Sequence, residues 1–155
     1  MAKRARAVPR GYRTATPYLI IKDAASAIDF YKQAFKAKVL MCLSEPSGKV
    51  GHAEIRIGDS RIMLADEFPE LGSRGPQSFG GSPVSILLYV EDCDAMFNQA
   101  VVKGAKVVKP MSDQFYGDRA GTLEDPFGHV WTIATHKEDL SSEEILKRVS
   151  SASGQ

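Results

Sequence analysis

The chain has 155 residues, a length that fits one domain or two small halves sharing a core. Hydrophobic residues make up 43% and charged residues 25% of the sequence, which excludes extensive disorder, collagen-like repeats and coiled coils. Twenty basic and nineteen acidic residues give +1; because residues 1–13 hold five of the basic residues and no acid, the remainder carries −4. A folded body with this charge lacks the basic stripe that nucleic-acid binding needs.

The cellular setting is indicated by the leader, the cysteines and the apolar runs. Residues 1–13 are predicted to form a disordered basic leader. Cys42 and Cys93 form neither a CxxC motif nor a disulfide framework, which favours a reduced, cytoplasmic protein. The longest apolar runs, 18–21 and 86–90, are far shorter than the ~18–20 residues that span a bilayer, so no membrane partner is expected.

The first half of the chain predicts the order β-α-β-β-β. Residues 16–21 favour a strand, and Asp23 then caps a segment, 24–35, in which Ile28, Tyr31 and Phe35 recur at helical spacing. Three more extended segments separated by turn sequences follow, at residues 37–43, 51–57 and 61–65.

The second half predicts the same order again. A strand at 84–90 and a helix at 91–103 precede Ala105-Lys-Val107, which matches Ala37-Lys-Val39 of the first half. Two copies are too few for a solenoid, so this internal duplication predicts two half-sheets facing a shared cleft. The predicted boundaries are module one at 14–66, a linker at 67–82, module two at 83–137, and a C-terminal helix and tail at 138–155. Within that last segment a capping pattern predicts the helix at 141–149, followed by a frayed end, and the linker is either a lid or a plain connection.

Three parts of the sequence carry a family resemblance: TPYLIIKD with AIDFYKQAF, GHAEIRIGDSRIMLAD, and DQFYGDRAGTLEDPFGHVWTI. They resemble the glyoxalase/bleomycin-resistance/extradiol-dioxygenase superfamily, the vicinal oxygen chelate proteins, and most closely its PhnB-like branch. It implies an α+β fold of paired βαβββ modules whose eight strands curl around a cleft, with helices on the convex side. It also implies a small-molecule site and a homodimer, but not one reaction.

Metal-dependent members of the superfamily hold a divalent ion with His, Gln or Glu side chains on the first and last strand of each module. The resemblance places those positions at Thr16, Met63, Ser85 and Thr132. Hydroxyls and a thioether do not supply the nitrogen, carboxylate or thiolate donors that such ions need. No cofactor is therefore predicted, and a displaced divalent metal remains the alternative.

Side chains that share strand parity with these positions are predicted to line the cleft. Strand 51–57 alternates likewise, with His52, Glu54 and Arg56 on a polar face that is either cleft lining or solvated outer surface. His52 and Glu54 are candidates for acid–base catalysis or for two ligands of a displaced metal. The candidate ligand-binding residues are Tyr18, Arg56, Arg61, Met63, Ser85, Tyr89, Phe115, Tyr116, Arg119 and Thr132.

Residues 112–121, SDQFYGDRAG, predict a turn-rich loop near the cleft mouth. Phe115 and Tyr116 there offer apolar contact area. Arg119 offers a fork for a carboxylate or phosphate, or else pairs internally with Asp118, Asp113 or Glu124. His129 and His136 are interpreted as surface residues.

Three functions follow from these patterns. The first is a metal-independent protein that binds or sequesters an aromatic or amphipathic ligand. The second is a lyase, isomerase or dioxygenase using a displaced metal or the His52/Glu54 pair, and the third is a dimeric interaction module with a vestigial cleft. The methyltransferase label carried by some PhnB-like proteins is discounted, because the chain has no glycine-rich nucleoside-binding loop.

Overall fold

The structure is a computed structural model and describes residues 2–153. The chain divides into two compact units, with the boundary between Gly81 and Ser82. Of the predicted leader and tail, Met1, Gly154 and Gln155 lie outside the described residues. In the part of the chain that is described, no helix is long and apolar enough to cross a membrane.

The first unit is a βαβββ module with a mixed four-stranded sheet. Its sheet has the strand order β1-β4-β3-β2, in which β1 is parallel to β4 and the other pairs are antiparallel. A 3₁₀ turn at Pro69–Leu71 and a short helix, α2 (Pro76–Phe79), follow the sheet. The elements of the module are β1 (Tyr18–Ile21), α1 (Ala24–Phe35), β2 (Lys38–Ser44), β3 (Val50–Ile57) and β4 (Ser60–Asp66).

The second unit repeats this arrangement with the strand order β5-β8-β7-β6. Strand β5 is parallel to β8, as β1 is to β4. The elements are β5 (Ser85–Tyr89), α3 (Cys93–Val102), β6 (Lys106–Asp113), β7 (Asp118–Glu124), β8 (Val130–His136) and α4 (Ser142–Ser153). The predicted α+β class and the duplicated βαβββ modules are therefore confirmed, with four strands in each sheet.

The apolar faces of the strands form the cores, as the alternation of side chains predicts. Leu19, Ile55 and Ile62 are buried, whereas their neighbours Tyr18 and Glu54 point to the opposite face and keep contact with solvent. In the second unit the same side of β7 and β8 contributes Leu123, Trp131 and Ile133 to the core. The second face predicted from parity is thus present on both sheets, and it is polar on the first sheet and mixed on the second.

Helices α1 and α3 each start beside a side chain near the end of the last strand of their own unit. The buried carboxylate of Asp66 accepts hydrogen bonds from the backbone N–H groups of Asp23 and Ala24 at 3.0 Å, and from that of Val50 at 2.7 Å. In the second unit the Thr135 hydroxyl accepts from the N–H of Cys93 at 3.0 Å. Free N–H groups at a helix start are satisfied in both places.

Two predictions of local structure differ from the fold. Residues 112–121 are mostly strand rather than loop, because β6 and β7 form a hairpin that closes through a short turn at 114–117. Helix α4 continues to Ser153 rather than ending at Val149. Its start does have the predicted capping box, with reciprocal hydrogen bonds between Ser141 and Glu144.

Candidate functional site

The polar face of the first sheet carries a line of hydrogen-bonded side chains. The Tyr18 hydroxyl lies 2.9 Å from Nδ1 of His52, and Nε2 of the same ring lies 3.3 Å from Oε1 of Glu54. His52 and Glu54 are only 25% and 16% exposed. The two residues predicted as an acid–base pair are therefore in contact, and Tyr18 on β1 extends the pair across the sheet.

Tyr12 adds an aromatic ring to this face from outside the sheet. The guanidinium carbon of Arg61 lies 5.0 Å from the centroid of the Tyr12 ring, within the range of a cation–π contact. The Tyr12 hydroxyl is shielded from solvent beside Glu54, in a geometry that falls short of a regular hydrogen bond. The sequence did not indicate Tyr12, because it lies in a segment predicted to be a disordered leader.

The surroundings of Glu54 stabilise its ionised form. The nearby Tyr12 phenol is the main cause of a pKa of Glu54 below its ordinary value, and His52 and Arg61 act in the same direction. Burial and the adjacent Glu54 raise the pKa of the Tyr12 phenol. The face thus holds an anionic carboxylate beside a neutral phenol, an arrangement that can accept or hand on a proton through His52.

A concavity of about 660 Å³ adjoins the line at Tyr18. Its wall is mixed, with aromatic and aliphatic side chains beside carboxylates. Lys49 binds over the ring of Phe68 at 4.9 Å and donates a hydrogen bond to the carbonyl of Glu67, which ties the segment after β4 to the rim. The lining residues are Tyr18, Ile20, Glu45, Gly51, Ala65, Asp66, Phe68, Glu70, Leu71 and Ser73.

The second unit has a separate polar cluster around Asp118. This buried carboxylate accepts a hydrogen bond from the Tyr89 hydroxyl at 2.7 Å and contacts Nδ1 of His136 at 2.7 Å. Asp139 contacts Nε2 of His136 at the same distance, and the two acids raise the pKa of His136, Asp118 contributing most. His136 is at the surface as predicted, but its contacts with two carboxylates were not foreseen.

Arg119 follows Asp118 on β7, but its side chain binds a different set of acids. Its guanidinium forms two hydrogen bonds of 2.9 Å with Asp94 on α3 and a third, of 3.3 Å, with Asp113. The contact with Asp113 is one of the internal pairings predicted for Arg119, whereas the two shorter hydrogen bonds to Asp94 on the helix were not predicted. Phe115 and Tyr116 lie in the turn before β7, edge to face with ring centroids 5.2 Å apart.

The remaining predicted positions fall on the faces expected from parity. Met63 pairs in register with Tyr18 and Glu54, and Arg56 lies opposite Arg61 on the same face. In the second sheet Thr132 is hydrogen-bonded to Thr122 at 2.9 Å, and Ser85 begins β5. The first unit therefore brings together Tyr18, His52, Glu54, Arg56, Arg61 and Met63, and the second unit carries Ser85, Tyr89, Phe115, Tyr116, Arg119 and Thr132.

A family model described as the Glyoxalase/Bleomycin resistance protein/Dioxygenase superfamily matches residues 13–133. The chain belongs to this superfamily. The uncharacterized protein Mb0911c of Mycobacterium bovis is 44% identical over 139 residues, covering 88% of this chain and 91% of the relative. The predicted superfamily resemblance is thereby confirmed.

Solved structures of the superfamily fold match both halves of the chain. Protein PA1353 of Pseudomonas aeruginosa has a TM-score of 0.67 at 24% identity, covering 81% of this chain and 99% of that protein. A PhnB protein of Bacillus cereus, described as a putative 3-demethylubiquinone-9 3-methyltransferase, has a TM-score of 0.59 at 18% identity. That match covers 79% of this chain and 99% of the other. At these identities the likeness establishes the fold.

The four positions at which the resemblance predicts metal ligands carry side chains that are poor donors for a divalent ion. Met63 offers a thioether, and Thr132 a hydroxyl that is already bonded to Thr122. Thr16 precedes β1, and Ser85 also has only a hydroxyl. Across residues 2–153 there is no group of three or more His, Cys, Asp or Glu side chains arranged to hold a metal. Hydroxyls and a thioether are weak ligands for zinc, nickel or iron.

Proposed function

We propose that the protein binds a small aromatic or amphipathic ligand at the Tyr18 concavity of the first unit, without a resident divalent metal. The observation that carries this proposal is the combination of a ligand-sized concavity with an adjoining polar line on one sheet. Ligand pockets generally measure ~300–1,000 Å³, and the concavity of about 660 Å³ falls in that range.

The chemistry of the wall supports an amphipathic ligand. Tyr18, Phe68 and Leu71 offer apolar area, and Leu71 is 78% exposed at the end of the 3₁₀ turn that follows β4. Glu45 and Glu70 on the same wall are acidic handles that favour a ligand with a cationic or hydrogen-bond-donating end. The segment after β4 is thereby more than a plain connection, because Phe68 and Leu71 form part of the proposed site.

A thermal-shift panel in metal-free buffer with chelator tests the proposal. Aromatic amines, aromatic carboxylates and neutral phenols are added separately, and a saturable increase in melting temperature is expected for at least one class. Tyr18→Ala is expected to abolish that shift, whereas Phe79→Ala, which removes an exposed aromatic ring outside the lining of the concavity, is expected to retain it. A ligand shift that requires added metal, or a stoichiometric metal in the purified protein, contradicts the proposal.

A second candidate function is a lyase or isomerase that uses His52 and Glu54. It is favoured by the contact of His52 with both Glu54 and Tyr18, which provides a route for a proton across the sheet. On this alternative His52→Gln keeps ligand binding and removes turnover of the bound compound, as followed by mass spectrometry. The dioxygenase alternative needs a displaced metal and is tested by the elemental analysis.

Homodimer formation and a cytoplasmic location are further parts of the proposal. The edge strand β2 exposes Val39, Leu40, Met41 and Leu43, an apolar surface of the kind that proteins usually cover. Light scattering after size-exclusion chromatography is expected to give the mass of two chains. A monomer across the micromolar range would contradict this part.

A further inference from the structure

The end of the leader is held on the first sheet by one aromatic residue. Gly11 has a left-handed φ of +86°, and the Arg61 guanidinium lies so close to it that an added Cβ would sit 2.5 Å away. The neighbouring Tyr12 ring is under the same guanidinium, and its hydroxyl is beside Glu54. Arg61 therefore covers both residues.

These two charged groups form a set that recognises a phenol. A guanidinium over the face of an aromatic ring gives a cation–π contact, and a carboxylate beside the hydroxyl can accept a charge-assisted hydrogen bond from a free phenol that approaches it in regular geometry. The side chain of Tyr12 is itself a para-substituted phenol. Its position marks where such a ring fits on this face.

The attachment of Tyr12 is local. Its backbone N–H donates to the carbonyl of Pro9 at 3.1 Å, within the leader itself. Within residues 2–153, the described backbone hydrogen bonds from this end of the chain to the sheet begin at Pro17, whose carbonyl accepts from Met63. Tyr12 can leave the face without breaking the ladder between β1 and β4.

We infer that Tyr12 is an internal ligand that fills a phenol-binding subsite formed by Glu54 and Arg61, and that a phenolic ligand binds there by displacing it. This inference goes beyond the proposed function, because Glu54 and Arg61 lie on the same sheet as Tyr18 but do not line the Tyr18 concavity. The leader acts as a self-blocking segment, so binding by the intact chain is weaker than the subsite alone allows.

The test uses p-cresol, which is the tyrosine side chain as a free molecule. Calorimetric titration compares the wild-type chain with Tyr12→Ala and with Arg13→Ala, a matched change at the next, exposed residue of the same segment. We expect Tyr12→Ala to bind p-cresol about tenfold more tightly than both others, because it has lost its internal competitor. Equal or weaker binding by Tyr12→Ala, with an unchanged circular dichroism spectrum, would overturn the inference.

Two further arms separate a phenol subsite from a simple hole. Toluene, which lacks the hydroxyl, is expected to bind Tyr12→Ala about fivefold more weakly than p-cresol does. Adding Arg61→Met or Glu54→Gln to Tyr12→Ala is expected to reduce the affinity for p-cresol by about fivefold to tenfold. Equal binding of toluene and p-cresol, or no effect of either second change, contradicts the assignment.

Displacement is measured on the wild-type chain, so the inference does not depend on the folding of a variant. With ring-labelled tyrosine, saturating p-cresol is expected to move the Tyr12 NMR signals toward those of a solvent-exposed tyrosine. Unmoved Tyr12 signals at saturation would overturn displacement. A panel without a Tyr18-dependent shift, together with tight binding of p-cresol to Tyr12→Ala, would reject the proposed function and leave the phenol subsite in place.

Discussion

Asp66 in β4 and Thr135 in β8 occupy the same place in the two units and perform the same task with different chemistry. Each lies at the end of the fourth strand and accepts backbone N–H groups from the start of the helix in its own unit. Asp66 additionally accepts from Val50, so one carboxylate holds three backbone groups. The first unit therefore uses one carboxylate to accept hydrogen bonds from three backbone N–H groups, whereas the second unit uses a hydroxyl to accept one at the helix start.

Removing the Asp66 carboxylate is expected to destabilise the chain strongly. Asp66→Ala leaves three N–H groups without their acceptor and should lower the free energy of unfolding by about 3 kcal/mol, whereas Thr135→Val should cost about 1–2 kcal/mol. Urea denaturation measures both. Asp59→Ala, at an exposed acid of the turn before β4, serves as the control and should change stability by no more than about 0.5 kcal/mol. Equal effects of Asp66→Ala and Asp59→Ala would contradict this role.

Stability should depend on pH through His136. Its folded pKa is raised by Asp118 first and by Asp139 second, above the unfolded value of about 6.5. Its contribution is therefore fully present below about pH 6.5 and is lost as the pH rises through the raised folded pKa. His136→Gln is expected to remove this decline in urea midpoints between about pH 6 and 8. An unchanged decline in that variant would show that another group is responsible.

Tyr12 should control the ionisation of Glu54. Because the Tyr12 phenol is the main cause of the lowered pKa of Glu54, Tyr12→Phe is expected to raise that pKa toward its ordinary value. His52→Gln is expected to raise it less. Carbon-detected NMR titration of the Glu54 carboxyl measures both changes. A lowered pKa supplies stability above the unfolded pKa and loses it as the pH falls through the folded one, so Tyr12→Phe should also reduce acid sensitivity.

Gly121 in β7 leaves room for a helix side chain. A Cβ at this position would lie 2.6 Å from the Phe97 ring and 3.0 Å from the Met111 Cα. Gly121→Ala is therefore expected to cost about 1–3 kcal/mol in thermal or urea unfolding, and Phe97→Ile in the same chain should recover part of the loss. Gly51→Ala is the control, because its nearest contact, at 3.7 Å, is ordinary and a small effect is expected. Failure of the double variant to recover would point to the strand backbone instead.

The faces of the strands were predictable from sequence because side-chain alternation is a local property. Ile55 is buried and Glu54 faces the other way, and His52 and Glu54, which were predicted to share a face, are in contact on it. The contacts of Tyr18 with His52 and of Tyr12 with Glu54 were not predictable, since both tyrosines come from distant parts of the chain.

Residues 112–121 show the opposite case. Their Ser, Asp and Gly content indicates turns, yet the ladder between β6 and β7 makes most of them strand, because pairing across the sheet outweighs local preference.

The DPFGH-x-W segment, which carries part of the family resemblance, has a structural role in this chain. Asp125 accepts hydrogen bonds from the N–H groups of Phe127 and His129 and from the Trp131 indole, which fixes the turn before β8.

The duplication of the fold does not extend to its recognition chemistry. In matching registers, the second sheet has Thr122 where the first has Glu54, and Val130 where the first has Arg61. Neither of the two charges beside the Tyr12 ring, Glu54 and Arg61, is therefore repeated in the second sheet. A saturating titration of Tyr12→Ala with p-cresol should therefore fill a phenol subsite in the first unit and no equivalent subsite in the second, so the two copies of the module have diverged in the compounds that they can select.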